Sequence, residues 1–124
     1  MANHYTVDEA NALLPRLKLL LEQMLAARQR IIDGRQTWQP VLEKAPGNGG
    51  GPHGKELFLD SNRIQLTLAQ VNAWGIVIKD VDTGLVDFPH LRNGNEVYLC
   101  WRLGEPEVRF WHDIDSGFAG RQPL

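Results

Sequence analysis

A single cysteine among 124 residues, Cys100, leaves no partner for an internal disulfide and too few thiolates for a zinc cage built from several cysteines. There is also no uncharged apolar run long enough to span a bilayer, and the start Met1-Ala2-Asn3-His4-Tyr5 has no basic flank leading into an apolar stretch. The chain therefore reads as a cytoplasmic protein with no membrane partner. Lys and Arg total 13 against 15 Asp and Glu, a net charge of −2 without clustered basic residues, which excludes a nucleic-acid footprint. Nor is there a G-x-S-x-G elbow, a Ser-His-Asp order or a dinucleotide fingerprint, so no cofactor is expected and the question of enzymatic activity stays open.

What the chain does hold is a hydrophobic fraction of 43%, enough at this length for the core of one domain. Residues 1–44 read as a first helical region, 45–55 as a flexible Gly/Pro linker, 56–74 as a second helix and 75–124 as an antiparallel β unit with a C-terminal tail. Thr6-Val7-Asp8-Glu9 is a capping box, in which Thr6 and Glu9 each satisfy the other's backbone N–H. Downstream, Ala10, Leu14, Leu17, Leu21 and Met24 repeat at four-three spacing, and Leu13, Leu17, Leu20, Met24, Ala27 and Ile31 form a second seam beside them. Two adjacent seams exceed what one partner helix covers. They predict a homo-oligomer, most simply a twofold dimer, with a further protein partner as an option. Pro15 lies inside the pattern and is expected to bend the helix.

In the linker, Gly49 to Lys55 matches the glycine and lysine spacing of a phosphate-binding loop. Glu56, however, replaces the Ser or Thr that would bind magnesium, and the segment follows a helix instead of a strand, so no nucleotide site is read there. The second helix is expected to place Leu57, Ile64, Leu68 and Val71 on one face and to stop at Gly75.

In the β half, Asp82-Thr83-Gly84 joins two strands, and facing Val81 with Leu85 sets Lys79 opposite Asp87, first as a charge pair and second as an acid and base. A further hairpin around Gly104-Glu105-Pro106-Glu107, with Leu103 facing Val108, puts Leu99, Trp101, Leu103, Val108, Phe110 and His112 on the core face. His112 then sits at the rim opposite Leu99, bonded to Asp115 or to backbone. Cys100 reads as a small packed hydrophobe. The predicted fold class is α+β, an antiparallel two-helix hairpin packed with a small sheet of three to four antiparallel strands.

The whole chain from residue 5 onward resembles a bacterial family of uncharacterised proteins, domain of unknown function 2203. The resemblance rests on Thr6-Val7-Asp8-Glu9-Ala10-Asn11 with Leu14-Pro15, on Gly75, Lys79-Asp80 and Gly84-Leu85-Val86-Asp87-Phe88-Pro89, and on Leu99-Cys100-Trp101-Arg102, Trp111-His112 and Gly117-Phe118-Ala119-Gly120-Arg121. It implies no activity that could be carried over. Some members bear a coiled-coil cell-division label, which the helix pattern alone could explain, and Pro15 opposes a long coiled coil here.

Three functional readings follow. The first is a self-associating interaction or scaffold module, supported by the helical seams and by Trp and Arg. The second is an anion-ligand or enzymatic site at the tail, with Arg102, His112 and Arg121 as ligand-binding candidates; the competing reading of Arg121 is a lock bonded to Asp87 or Asp115. The third is a metal site from His112, Asp113 and Asp115, with Asp87 as a possible addition.

Overall fold

The computed structural model describes residues 4–44 and 52–124. In chain order these form α1 (Val7–Lys44), α2 (Pro52–Ala73), β1 (Val77–Asp80), β2 (Leu85–Arg92), β3 (Asn95–Arg102), β4 (Phe110–His112), a 3-10 turn at Phe118–Gly120 and β5 (Gln122–Pro123). The strands make one antiparallel sheet in the order β1-β2-β3-β4-β5, so the α+β expectation holds with five strands in place of three to four. The extra strand, β5, has only two residues and lays Pro123 beside Phe110, and no alternating pattern announced it.

α1 starts at the expected box. The Thr6 amide donates to Glu9 Oε1 at 2.9 Å and the Glu9 amide to Thr6 Oγ1 at 3.1 Å. Thr6→Ala should therefore lower stability by about 1 kcal/mol in urea unfolding, while Thr6→Ser changes little. The helix runs on through exposed Pro15 to Lys44. Ala10, Leu14, Leu17, Leu21 and Met24, the whole first seam, are buried in the core; of the second seam, Leu13, Leu20 and Ile31 are only half-buried.

α2 begins at Pro52, so residues 52–55 are its first turn and not linker; a proline there gives up an N–H that would in any case lack an intrahelical partner. Positions 45–51, including the first three residues of the phosphate-loop pattern, lie outside the described residues. The helices lie antiparallel: Arg30 forks onto buried Asp60 at 2.8–3.1 Å and Arg63 reaches Gln23. This pairing rotates α2 away from the expected face. Among its described side chains Asp60, Thr67 and Val71 are buried and Ile64 is half-buried, whereas Leu68 turns outward. Among the described residues no helix is long and apolar enough to cross a membrane.

The sheet turns Ile78, Val86, Phe88, Leu99, Trp101 and Trp111 toward α1 and Val71 of α2. Two strand registers differ from the sequence reading. In β1, a bulge between Ile78 and Asp80 pairs Val77 with Asp87, so Lys79 is not opposite Asp87; its ammonium lies 5.4 Å from the Tyr98 ring instead. In β4, Tyr98 faces His112, Leu99 faces Trp111 and Cys100 faces Phe110, one residue off the Leu103–Val108 alignment.

The cause is the connection. Val108 is not in a strand but donates its amide to Asn11 Oδ1 of α1 at 2.7 Å, while Glu105 folds back onto the end of β3 through its own amide and its carboxylate. A one-residue slip moves every side chain to the other face. Trp111 enters the core, and Phe110 and His112 go to the face turned away from the helices.

Candidate functional site

That outer face of the sheet is where the polar chemistry collects. β2, β3 and β4 lie side by side, and their alternation sends Asp87, Cys100 and His112 to the same side. Asp87 and Cys100 are direct cross-strand partners, and His112 lies diagonally across from Cys100. All three are 1% exposed. An oxygen, a sulfur and a nitrogen thus lie within 4.8 Å of one another.

His112 Nδ1 is 2.7 Å from the Asp113 carbonyl and Nε2 is 2.9 Å from Asp87 Oδ1. A carbonyl can only accept, so Nδ1 carries a hydrogen and donates it. Nε2 then faces a carboxylate oxygen, and a proton lies between them in this hydrogen bond. Asp87 Oδ2 is buried without any hydrogen-bond partner. The thiol of Cys100 is pushed up to about 11, first by burial and then by the negative charge of Asp87.

This trio is therefore not a nucleophilic triad. Both imidazole nitrogens are committed elsewhere, and the thiol stays protonated and sealed from solvent.

The C-terminal tail closes over the face. Gly117, at φ +65°, starts the 3-10 turn, which packs tightly on itself: a Cβ on Gly120 would lie 2.5 Å from Ser116. Arg121 donates to Glu105 through Nη1 at 2.9 Å and Nη2 at 2.6 Å, and Nη2 also reaches the Cys100 carbonyl at 3.2 Å. Its guanidinium lies 4.3 Å from the Phe110 ring centroid and 4.7 Å from that of Phe118. Burial alone would push the Glu105 carboxyl up, but the Arg121 fork, the Arg102 amide and the two guanidinium charges hold it below its ordinary value. Burial likewise opposes the charge on Arg121, and its bonds to Glu105 and Cys100 outweigh that and raise it.

Of the residues singled out from the sequence, Arg102 and Arg121 meet across Phe118, the former exposed with its Cζ 5.5 Å from the ring centroid. His112 turns instead to Asp87. Arg121 has the lock geometry, but its carboxylate is Glu105 and neither Asp87 nor Asp115. An anion entering here would have to displace a bidentate carboxylate. Asp113 and Asp115 are exposed, and Asp113 serves His112 only through its backbone, so the trio that gathers is Asp87, Cys100 and His112. Cys100 is packed as expected, though against ionisable neighbours. The sequence places Glu105 in a turn and carries no sign of its pairing with Arg121. The pairing of Asp87 with His112 could have been found only from the correct β4 register.

A model of a family described as uncharacterized conserved protein (DUF2203) matches residues 3–124. No curated protein and no solved structure matches the chain.

Proposed function

The chain belongs to this family of uncharacterized conserved proteins, and from that premise we propose that it acts as a small self-associating interaction module, pairing with a second copy through its helical hairpin. The observation that carries the reading is the outer face of α2. Leu59 is 52% exposed and Leu66 is 63% exposed; they stand seven residues apart, two turns along one stripe. Half-buried Leu20 of α1 lines the same groove, together with Gln23, Asn62 and Arg63.

A twofold axis midway between Asn62 and Arg63 would set Leu59 of one copy against Leu66 of the other, and the two hairpins would form an antiparallel four-helix bundle. The length of α1 favours the same arrangement. Its last ion pair to the sheet unit, among the described residues, is Arg28 with Asp82 at 2.9 Å, and it continues for sixteen further residues to Lys44, roughly 24 Å at 1.5 Å per residue. A two-helix arm without a third layer covers only part of its apolar surface.

Two half-exposed leucines per copy are a small contact set against the entropy lost on association, so the dimer should be weak and dependent on concentration. Leu59→Glu combined with Leu66→Glu should abolish it. Both side chains are exposed, so the variant should keep the circular dichroism and unfolding temperature of the wild type while eluting and sedimenting as a monomer. A double variant that still associates like the wild type would move the contact elsewhere and defeat this reading.

A further inference from the structure

We propose that Asp87, Cys100 and His112 form a binding site for one divalent transition metal ion of the zinc type, buried beneath the C-terminal tail. The proposal goes beyond self-association and does not depend on it. The three donors come from neighbouring strands of one sheet, are 1% exposed, and present oxygen, sulfur and nitrogen within 4.8 Å of one another. Donors around a tetrahedral zinc ion, bound at about 2.0–2.3 Å, are themselves about 3.3–3.8 Å apart. Small side-chain rotations bridge the difference.

Three details of the pocket suit an ion. His112 Nδ1 donates to a backbone carbonyl, the outer hydrogen bond that orients a metal-binding imidazole and leaves Nε2 as the atom that would face the ion. That Nε2 points at Asp87 Oδ1 from 2.9 Å, and the proton that bridges them is one an ion could replace. Asp87 Oδ2 is buried and unpartnered, an uncommon and costly state for a carboxylate oxygen, and it is available as a further donor.

Charge also balances. A divalent ion entering would release two protons, the one shared by His112 and Asp87 and the one on the Cys100 thiol, so the net charge of the pocket is unchanged. The neighbouring Arg121–Glu105 pair, already internally neutral, need not rearrange. A thiolate combined with an imidazole selects zinc-like ions over magnesium or calcium, which prefer all-oxygen sites.

Cobalt(II) is the appropriate probe, since it replaces zinc and reports its ligands by colour. Full-length protein would be equilibrated with Co²⁺ in urea below the unfolding transition, to loosen the tail, and then dialysed. The expected result is one retained cobalt ion per chain, with visible bands of a four-coordinate ion and a near-ultraviolet sulfur-to-cobalt charge-transfer band. Cys100→Ser should lose the charge-transfer band, and His112→Gln should lose at least tenfold in affinity, both with wild-type circular dichroism. His4→Ala, which removes an exposed imidazole paired with Glu96, should change neither. If Cys100→Ser does not fold, Cys100→Ala serves the same purpose. A wild type that retains no cobalt, or a folded Cys100 variant that keeps the full charge-transfer band, overturns the site and leaves the trio holding protons alone.

Discussion

Asp87→Ala should lower the free energy of unfolding by about 3–5 kcal/mol, the largest loss expected from any single substitution considered for this protein. Asp87 and His112 are both 1% exposed and are bonded at 2.9 Å, so truncating the acid leaves a buried imidazole facing a void. The loss has two parts, an unpaired polar group and a cavity that close-packed β-sheet neighbours cannot fill. Replacing both members tests the origin of the effect. Because a buried pair contributes little net stability once its desolvation is counted, Asp87→Val with His112→Leu should recover most of the loss. Urea unfolding followed by tryptophan fluorescence measures both, since Trp101 and Trp111 lie on the opposite face of the same strands. A loss below about 1 kcal/mol for Asp87→Ala would mean that the pair is not coupled to folding.

Arg121→Ala should cost about 2 kcal/mol or more and loosen the tail. An exposed ion pair would be worth only about 0–1 kcal/mol, but here the side chains of Arg121 and Glu105 are 13% and 19% exposed, and the guanidinium also bonds the Cys100 carbonyl and stacks on two phenylalanines. Arg121→Lys should recover only part of it, because a lysine cannot form the fork.

The same pair sets an acid limb. The Glu105 carboxyl lies below its ordinary value of 4.5 when folded, so it binds protons more readily unfolded. Its stabilisation is present above that ordinary value and is lost as pH falls through the lowered folded one. Arg121→Ala should flatten this limb of the stability profile. Equal slopes between pH 3 and 5 in wild type and variant would place the acid sensitivity in other carboxylates, roughly the range over which this linkage acts.

The helical half was legible because its signals are local. The Thr6–Glu9 box and the Ala10 to Met24 seam depend on neighbours within a few turns, and both appear as read. The face of α2 was less so, since the Arg30–Asp60 fork, set by a residue thirty positions away, decides its rotation. In the β half the strands and turns could be placed but not their registers. The bulge at Lys79 moves the partner of Asp87 two residues, from Lys79 to Val77, and the anchoring of Val108 by Asn11 goes with a one-residue shift in β4, where parity decides which face a side chain takes. Hence the sequence alone puts His112 on the core face and sets Asp87 against Lys79 in place of His112. Arg121 was recognisable as a lock from the acids around it, but which acid it takes depended on the fold-back of Glu105 at the end of β3.

Self-association through the hairpin is the central claim, and sedimentation velocity on the wild-type protein from about 1 to 100 μM, the range where a weak dimer forms and dissociates, tests it most directly. The account predicts a shift with concentration from 14.0 kDa toward about 28 kDa, twice the mass of one chain. A single 14.0 kDa species throughout that range would contradict it.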